Sequence, residues 1–218
     1  MKYIIAGVEG EVTEPAGIVG ALNSLKQQSP LGYAHLEVVP LSLGGNHGHG
    51  EVLILKYKEE VEKYLNNPEH CVESDDEICK FLVCDDDGMA EHGVEESVFR
   101  KKVVEIGAIP IISKPNFEYF VARLFWDENE LTTMLRKRMG LNDIIRRGIE
   151  EYNQTCKYDF QMVSPYMKKH HQTEDWFWRL FDMNPEFLRR AINMSVDIRR
   201  EYYTEVPLLL KEIAEHFH

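Results

Sequence analysis

An apolar run close to the start of the chain ends on a carboxylate, and this junction constrains the fold more than any other feature. Residues 3–8 are rich in β-branched and aromatic side chains, and Glu9 and Gly10 follow them. This composition predicts a buried strand that a glycine brings to an end. Pro15 comes after a turn and suits the first turn of a helix, where its missing N–H costs nothing. The strand is therefore predicted to deliver Glu9 to its carboxyl end, where open α/β sheets place their ligand sites.

Strand and helix patterns alternate from this point to about residue 125. Short apolar runs predict strands, and apolar side chains at helical spacing predict helices. The further strands are predicted at residues 36–41, 52–57, 78–84 and 109–112, and the helices at 16–28, 59–65, 94–105 and up to Phe125. The alternation predicts an α/β domain over residues 1–125, with a mainly parallel sheet and helices on both faces.

The pattern changes beyond Trp126. Helical spacing of apolar residues continues at 131–139, 141–152, 185–203 and 206–217, and no segment has strand character. Residues 126–218 are therefore predicted to form a C-terminal all-helical extension that packs on the α/β domain.

Composition excludes several classes of protein. The net charge is −12, and residues 1–125 hold 11 basic against 21 acidic side chains, which argues against a coat protein that binds nucleic acid without specificity. No apolar run reaches the roughly 20 residues that cross a bilayer, so no membrane partner is expected. The N-terminus lacks a signal-peptide pattern, and the four cysteines form no CxxC pair. These features predict a cytoplasmic protein with free thiols.

A second apolar run, residues 78–84, ends on three acids. Asp85 and Asp87 occupy alternate positions, so they point to one side if strand geometry persists through them. Both are predicted to lie at the same edge of the sheet as Glu9. Carboxylate oxygens are the ligands of Mg²⁺ and Mn²⁺, and a few of them with water suffice for such an ion. The alternative is that the three acids and Gly88 form a solvated turn.

Three ordered segments resemble a known family. They are residues 8–15 (VEGEVTEP), 83–87 (VCDDD) and 113–120 (SKPNFEYF), and together they resemble the signatures of the RloB-like family, which is similar to the Toprim superfamily. The resemblance implies a Toprim-like fold in which Glu9, Asp85 and Asp87 hold Mg²⁺ or Mn²⁺. It also places Glu14 and Glu118 near the metal. The sequence departs from the family pattern at Lys114, which stands where Asn commonly precedes the proline.

The resemblance implies metal-assisted hydrolysis of phosphodiester bonds in DNA or RNA, within bacterial defence against phage. In that interpretation Glu9, Asp85 and Asp87 are catalytic metal ligands, and Lys114 contacts a phosphate as a point charge. The alternative for Lys114 is an ordinary exposed lysine. A rival hypothesis is a non-catalytic module whose helical tail docks on a partner such as an ATPase. The sequence leaves the oligomeric state, including a homo-oligomer, open.

Basic side chains and histidines outside these motifs are further candidates for substrate binding. His47 and His49 lie in a glycine-rich loop, and Lys168 and Lys169 precede the aromatic residues 176–178. A flexible loop and a helix core are the respective alternatives. Clustered arginines and lysines recur in the tail, at residues 136–138, 146–147, 189–190 and 199–200. They form a phosphate-binding stripe if they share one face, and solvated helix faces if they do not.

Overall fold

The structure, a computed structural model, describes residues 1–9, 13–28, 35–43, 50–86, 89, 93–155, 180–181 and 185–215. Within these residues the chain forms five strands and eight α-helices. The strands are β1 Lys2–Val8, β2 Leu36–Ser42, β3 Glu77–Asp85, β4 Ile109–Lys114 and β5 Tyr203–Thr204. The helices are α1 Thr13–Gln28, α2 Glu51–Leu65, α3 Glu96–Glu105, α4 Phe117–Phe125, α5 Glu128–Arg136, α6 Leu141–Thr155, α7 Pro185–Asn193 and α8 Val206–Glu215.

The five strands form one sheet in the order β2-β1-β3-β4-β5. The pairs β1–β2, β1–β3 and β3–β4 are parallel, and β5 pairs with β4 in the antiparallel direction. The prediction of an α/β fold with a mainly parallel sheet is therefore confirmed. Because β2 and β3 lie on opposite sides of β1, the chain reverses the direction in which it adds strands at the junction between β1 and β3.

Apolar side chains alternate between the two faces of the sheet. On β1, Ile4 faces one apolar cluster with α1, α4 and α8, whereas Ile5 faces a second cluster with α2 and α3. The same division separates Val83 from Leu82 on β3. Strands that are covered on both faces have continuous apolar sequences, which explains why β1 and β3 could be recognised from their apolar runs. The prediction of helices on both faces is confirmed.

Residues 52–57 were predicted to be a strand, and this prediction is wrong. They belong to α2, whose buried side chains recur at helical spacing: Leu53, Ile54, Tyr57, Val61 and Tyr64. The apolar run arose because Val52 and Leu55 are also apolar, although both lie on the exposed side of the helix. A short apolar run therefore did not distinguish a strand from the first turns of a helix.

The tail contains a strand as well as helices, so the prediction of an all-helical extension is wrong in this respect. The predicted helix over residues 185–203 ends at Asn193, and β5 follows at Tyr203–Thr204. A two-residue strand is too short to leave a recognisable period in the sequence. Its existence depends on the pairing of Tyr203 with Lys114 of β4.

The tail shares its apolar core with the α/β part. Ile144 of α6, Leu188 of α7 and Leu209 of α8 belong to the same buried cluster as Ile4 of β1. Trp126 ties α4 to α6 because its Nε1 donates to the backbone oxygen of Ile144 at 3.0 Å. The boundary at residue 125 between two domains stays a prediction. Among the described helices, none has the length and apolar character needed to span a membrane.

Candidate functional site

Glu9 and Asp85 meet at the carboxyl edge of the sheet. Val8 of β1 pairs with Val83 of β3, and the backbone N–H of Glu9 donates to the oxygen of Val83 at 3.0 Å, which extends the pairing past the end of β1. The backbone N–H of Asp85 in turn donates to Oε2 of Glu9 at 3.1 Å. The side chain of Glu9 and the backbone of Asp85 are therefore in contact at this edge, and the sharing of a metal ion by the two carboxylates stays a prediction.

The meeting point coincides with the junction where strand order reverses. In open α/β sheets, ligands bind outside the carboxyl ends of the strands at such a junction. Here the junction lies between β1 and β3, the two strands that carry Glu9 and Asp85. Strand order and the position of the acids thus indicate the same site.

Close packing behind β1 holds the backbone that leads to Glu9. The ring of Tyr57 on α2 lies directly against Gly7, where an added Cβ atom would come within 2.2 Å of Tyr57 Cδ2. One residue further along, the N–H of Leu43 donates to the oxygen of Val8 at 2.8 Å. Only glycine fits at position 7, and this requirement connects the tight packing of α2 to the placement of Glu9.

Asp86 and Lys114 form an ion pair next to these acids. Lys114 Nζ lies 3.3 Å from Asp86 Oδ2, and the Asp86 side chain is only 14% exposed against 38% for Lys114. The pair forms because Asp85 of β3 and Ser113 of β4 are partners in the sheet, so the residues that follow each of them are neighbours. Lys114 is therefore held at the edge that carries Glu9 and Asp85.

The prediction that Asp85 and Asp87 point to one side required strand geometry to persist through both residues, but β3 ends at Asp85. Asp87 itself lies outside the described residues, as do His47, His49, Lys168, Lys169 and the side chain of Glu14.

Glu118 lies in the first turn of α4, close behind the cis peptide bond between Lys114 and Pro115. Its side chain is half-buried. In the part of the chain that the structure describes, no three His, Cys, Asp or Glu side chains are grouped closely enough to hold a metal ion. Glu118 therefore does not complete such a group with Glu9 and Asp85.

The two acids are suited to a hard divalent cation by their chemistry. Carboxylate oxygens are the ligands that Mg²⁺ and Mn²⁺ prefer, and Mg²⁺ commonly binds through one or two carboxylates while water and substrate phosphates complete its shell. Cys84 is buried beneath them, and burial together with the charges of Glu9 and Asp85 raises the pKa of its thiol. The thiol therefore remains a protonated core side chain.

A buried ionic network supports the neighbouring strand end, and the sequence interpretation missed it. Glu205, only 5% exposed, accepts from Arg100 Nη1 and Nη2 at 3.2 and 2.9 Å, and from the N–H of Ile112 at 2.9 Å. Arg100 also donates to Glu96 Oε1 at 2.7 Å and to the hydroxyl of Tyr203 at 3.2 Å. The network joins α3 to β4 and β5.

Protonation equilibria reflect the strength of this network. Burial raises the pKa of Glu96, but hydrogen bonds from Arg100 and Tyr203 outweigh it and hold the pKa below its ordinary value. Burial likewise opposes the charge on Arg100, and Glu205 and Glu96 outweigh it, so that the pKa of Arg100 is raised. A sequence signal did exist, since Glu205 is the single acid within the otherwise uncharged residues 202–210.

Comparison with known proteins adds no assignment. No family model matches this chain, and neither a curated protein nor a solved structure shows significant similarity to it.

Proposed function

We propose that this chain is a divalent-metal-dependent nuclease that hydrolyses phosphodiester bonds in DNA or RNA and is built on a Toprim-like sheet. The observation that carries the proposal is the meeting of Glu9 and Asp85 at the junction between β1 and β3, where a backbone hydrogen bond of 3.1 Å holds them together. This meeting supports the metal site that the family resemblance implies.

Each residue at the edge has a role in the proposed reaction. Glu9 and Asp85 hold the divalent ion, which, when bound, polarises a phosphoryl oxygen and stabilises the charge that develops on it. Lys114 attracts the phosphate as a point charge, and its ion pair with Asp86 keeps the ammonium group at the edge between encounters. The resemblance adds Asp87 to these ligands and offers Glu14 or Glu118 for a second metal site. The role in phage defence comes from the resemblance alone.

The rival hypothesis, a non-catalytic module that docks on a partner such as an ATPase, predicts two features that differ from this structure. It predicts that the acids diverge, whereas the carboxylate of Glu9 accepts a hydrogen bond from the backbone of Asp85. It also predicts an apolar face on the tail helices. In the described part of the tail, the exposed large apolar side chains are Ile198 and Leu208, which lie in different segments. These observations favour the enzyme.

Cleavage assays on supercoiled plasmid and on single-stranded RNA, with Mg²⁺ or Mn²⁺, test the proposal. Glu9→Gln and Asp85→Asn are expected to lower the cleavage rate by about 100-fold or more, since each removes a charged metal ligand. Glu105→Gln is the matched control, because Glu105 ends α3 at the opposite edge of the sheet and is exposed. Mn²⁺ is expected to raise the melting temperature of the wild type and of the Glu105 variant, but not of the other two. Cleavage that survives both substitutions would disprove the site.

A further inference from the structure

Two arginines from distant parts of the chain line one pocket beside the end of β4. The pocket has a volume of about 260 Å³ and is lined by Thr132, Arg136, Arg200, Glu201 and Tyr202. Tyr203 pairs with Lys114, the last residue of β4, and the two strands are antiparallel. The residues that precede Tyr203 therefore extend beyond the carboxyl end of β4, towards the edge that carries Glu9 and Asp85.

The arginines around this pocket differ in their ion pairing. Arg200 lies 2.7 Å from Glu128, and Arg123 lies 3.6 Å from the other oxygen of the same carboxylate. Arg200 also approaches Asp197 at 3.8 Å. Arg136 forms no ion pair with any carboxylate of the described residues and is exposed at the end of α5. The guanidinium of Arg136 is thus available to an anion in the pocket.

The hydroxyl of Tyr202 faces the carboxylate of Glu201 at this pocket. Burial and the hydrogen bond to Glu201 raise the pKa of Tyr202, so its hydroxyl stays protonated.

We infer that this pocket binds a backbone phosphate of the nucleic-acid substrate, a few nucleotides away from the scissile bond; the inference rests on the proposed nuclease function. Neighbouring strands lie about 4.8 Å apart, so β1 and β5 are separated by roughly 14 Å across the sheet. A substrate strand that leaves Glu9 along this edge passes Lys114 and then reaches Arg136 and Arg200. Guanidinium groups suit this position because their planar fork donates two hydrogen bonds to one phosphate.

Binding is measured separately from cleavage by fluorescence anisotropy of labelled single-stranded DNA and RNA oligonucleotides in EDTA, over a series of salt concentrations. Arg136→Gln is expected to weaken binding about fivefold at roughly 0.1 M salt and to reduce the slope of log K against log salt by about 0.7, the value for one phosphate contact on a single strand. Arg200→Gln is expected to act in the same direction. Glu201→Gln is expected to strengthen binding by about twofold, because it removes the carboxylate that repels the phosphate.

Arg199→Gln is the matched control for Arg200→Gln. Arg199 is the next residue in sequence, its side chain is 87% exposed, and it pairs with Asp197 instead of lining the pocket. Its substitution is expected to leave affinity and salt slope unchanged. Because Arg200 takes part in internal ion pairs, the melting temperatures of all variants are compared, and Arg136 and Glu201 provide the test if Arg200→Gln unfolds.

The outcomes separate this inference from the proposed function. Unchanged affinity and slope in both Arg136→Gln and Glu201→Gln would overturn the phosphate pocket, even if the wild type cleaves. The expected changes in affinity would support the pocket even if the wild type cleaves nothing, and in that case only the nuclease proposal fails. A wild-type protein that binds neither oligonucleotide overturns the pocket inference too.

Discussion

The acidic site at Glu9 and Asp85 and the arginine pocket lie along one edge of the sheet, but different levels of structure build them. Backbone pairing between β1 and β3 places the acids, because Glu9 directly follows β1 and Asp85 is the last residue of β3. The end of α5 and the segment before β5 supply Arg136 and Arg200, which only packing brings together. A side chain at a strand end depends on the sheet itself, whereas one in the pocket depends on whatever holds α5 and β5 in place. A substitution that disrupts one region should therefore leave the other intact.

The largest expected effect comes from removing the carboxylate that anchors β5. Glu205→Ala leaves Arg100 without its principal partner and the N–H of Ile112 without an acceptor. Breaking a buried ion pair on one side costs about 3–5 kcal/mol of the free energy of unfolding, measured by urea denaturation. In Glu205→Ala, oligonucleotide binding through the arginine pocket should fall, while stabilisation by Mn²⁺ at Glu9 and Asp85 should persist.

The matched control for this variant is Glu215→Ala, which removes an exposed acid that pairs with Lys211 at 3.5 Å on the surface of α8. Surface substitutions of this kind change stability by about 0.5 kcal/mol or less. Equal losses of stability in the two variants would show that the buried network does not anchor β5.

The next largest effect acts on the acidic site alone. Gly7→Ala places a Cβ atom against the ring of Tyr57, and overpacking of this kind costs about 1–3 kcal/mol. Because Glu9 follows two residues later, the shift of Tyr57 or β1 should also reduce stabilisation by Mn²⁺. Gly140→Ala is the control, since its Cβ would meet only Asp143 Oδ2 at 3.9 Å. A Gly7→Ala protein with wild-type stability would contradict the tight contact between α2 and β1.

Lys114→Gln tests whether the two regions act on one substrate. Removal of the Lys114 ammonium group is expected to lower kcat/KM for cleavage about tenfold, because it deletes one point charge between the acids and the pocket. A tenfold loss corresponds to about 1.4 kcal/mol of activation free energy. The effect should decrease at high salt, as expected for an exposed charge. Lys101→Gln, which alters a 79% exposed lysine on α3, is the control. An equal loss in both variants would show that Lys114 has no special position.

The smallest expected effect concerns the helix that carries Arg136. The side chain of Asp127 caps α5 by accepting from the backbone N–H groups of Asn129 and Glu130 at 2.8 and 2.9 Å. The bond from the Glu130 backbone is the main reason that the pKa of Asp127 lies below its ordinary value. A lowered pKa in the folded state stabilises the protein above the ordinary pKa of about 4, and this contribution is lost as the pH falls through the folded value.

Asp127→Ala is therefore expected to lower the melting temperature by about 2 °C at pH 7, and by less at pH 3. Asp127→Asn is the control, because its side-chain oxygen still caps the helix but does not titrate. Its melting temperature at pH 7 should stay close to that of the wild type. A difference between the wild type and the Ala variant that grows as the pH falls would contradict the sign of this linkage.

Local patterns predicted some elements and failed at others for identifiable reasons. The strands β1 and β3 were recognised because both faces of each are buried, which leaves an apolar run that glycine or acids interrupt. Residues 52–57 look like such a run, but the face of α2 that α3 and β1 bury could be recognised only after the helix was in place. β5 left no pattern at all, since two residues pair with β4 only when α8 and the buried Glu205 bring them there.

The sequence by itself determined that acids lie at the ends of two buried strands, because short runs of neighbouring residues determine strand character and strand ends. Only the tertiary structure decided that those strands are adjacent, that Asp86 pairs with Lys114, and that Arg136 and Arg200 line one pocket. The physical reason is distance along the chain. Local backbone preferences act over a few residues, whereas these meetings join residues 28 to 76 positions apart, and burial of a shared apolar core is what holds them together.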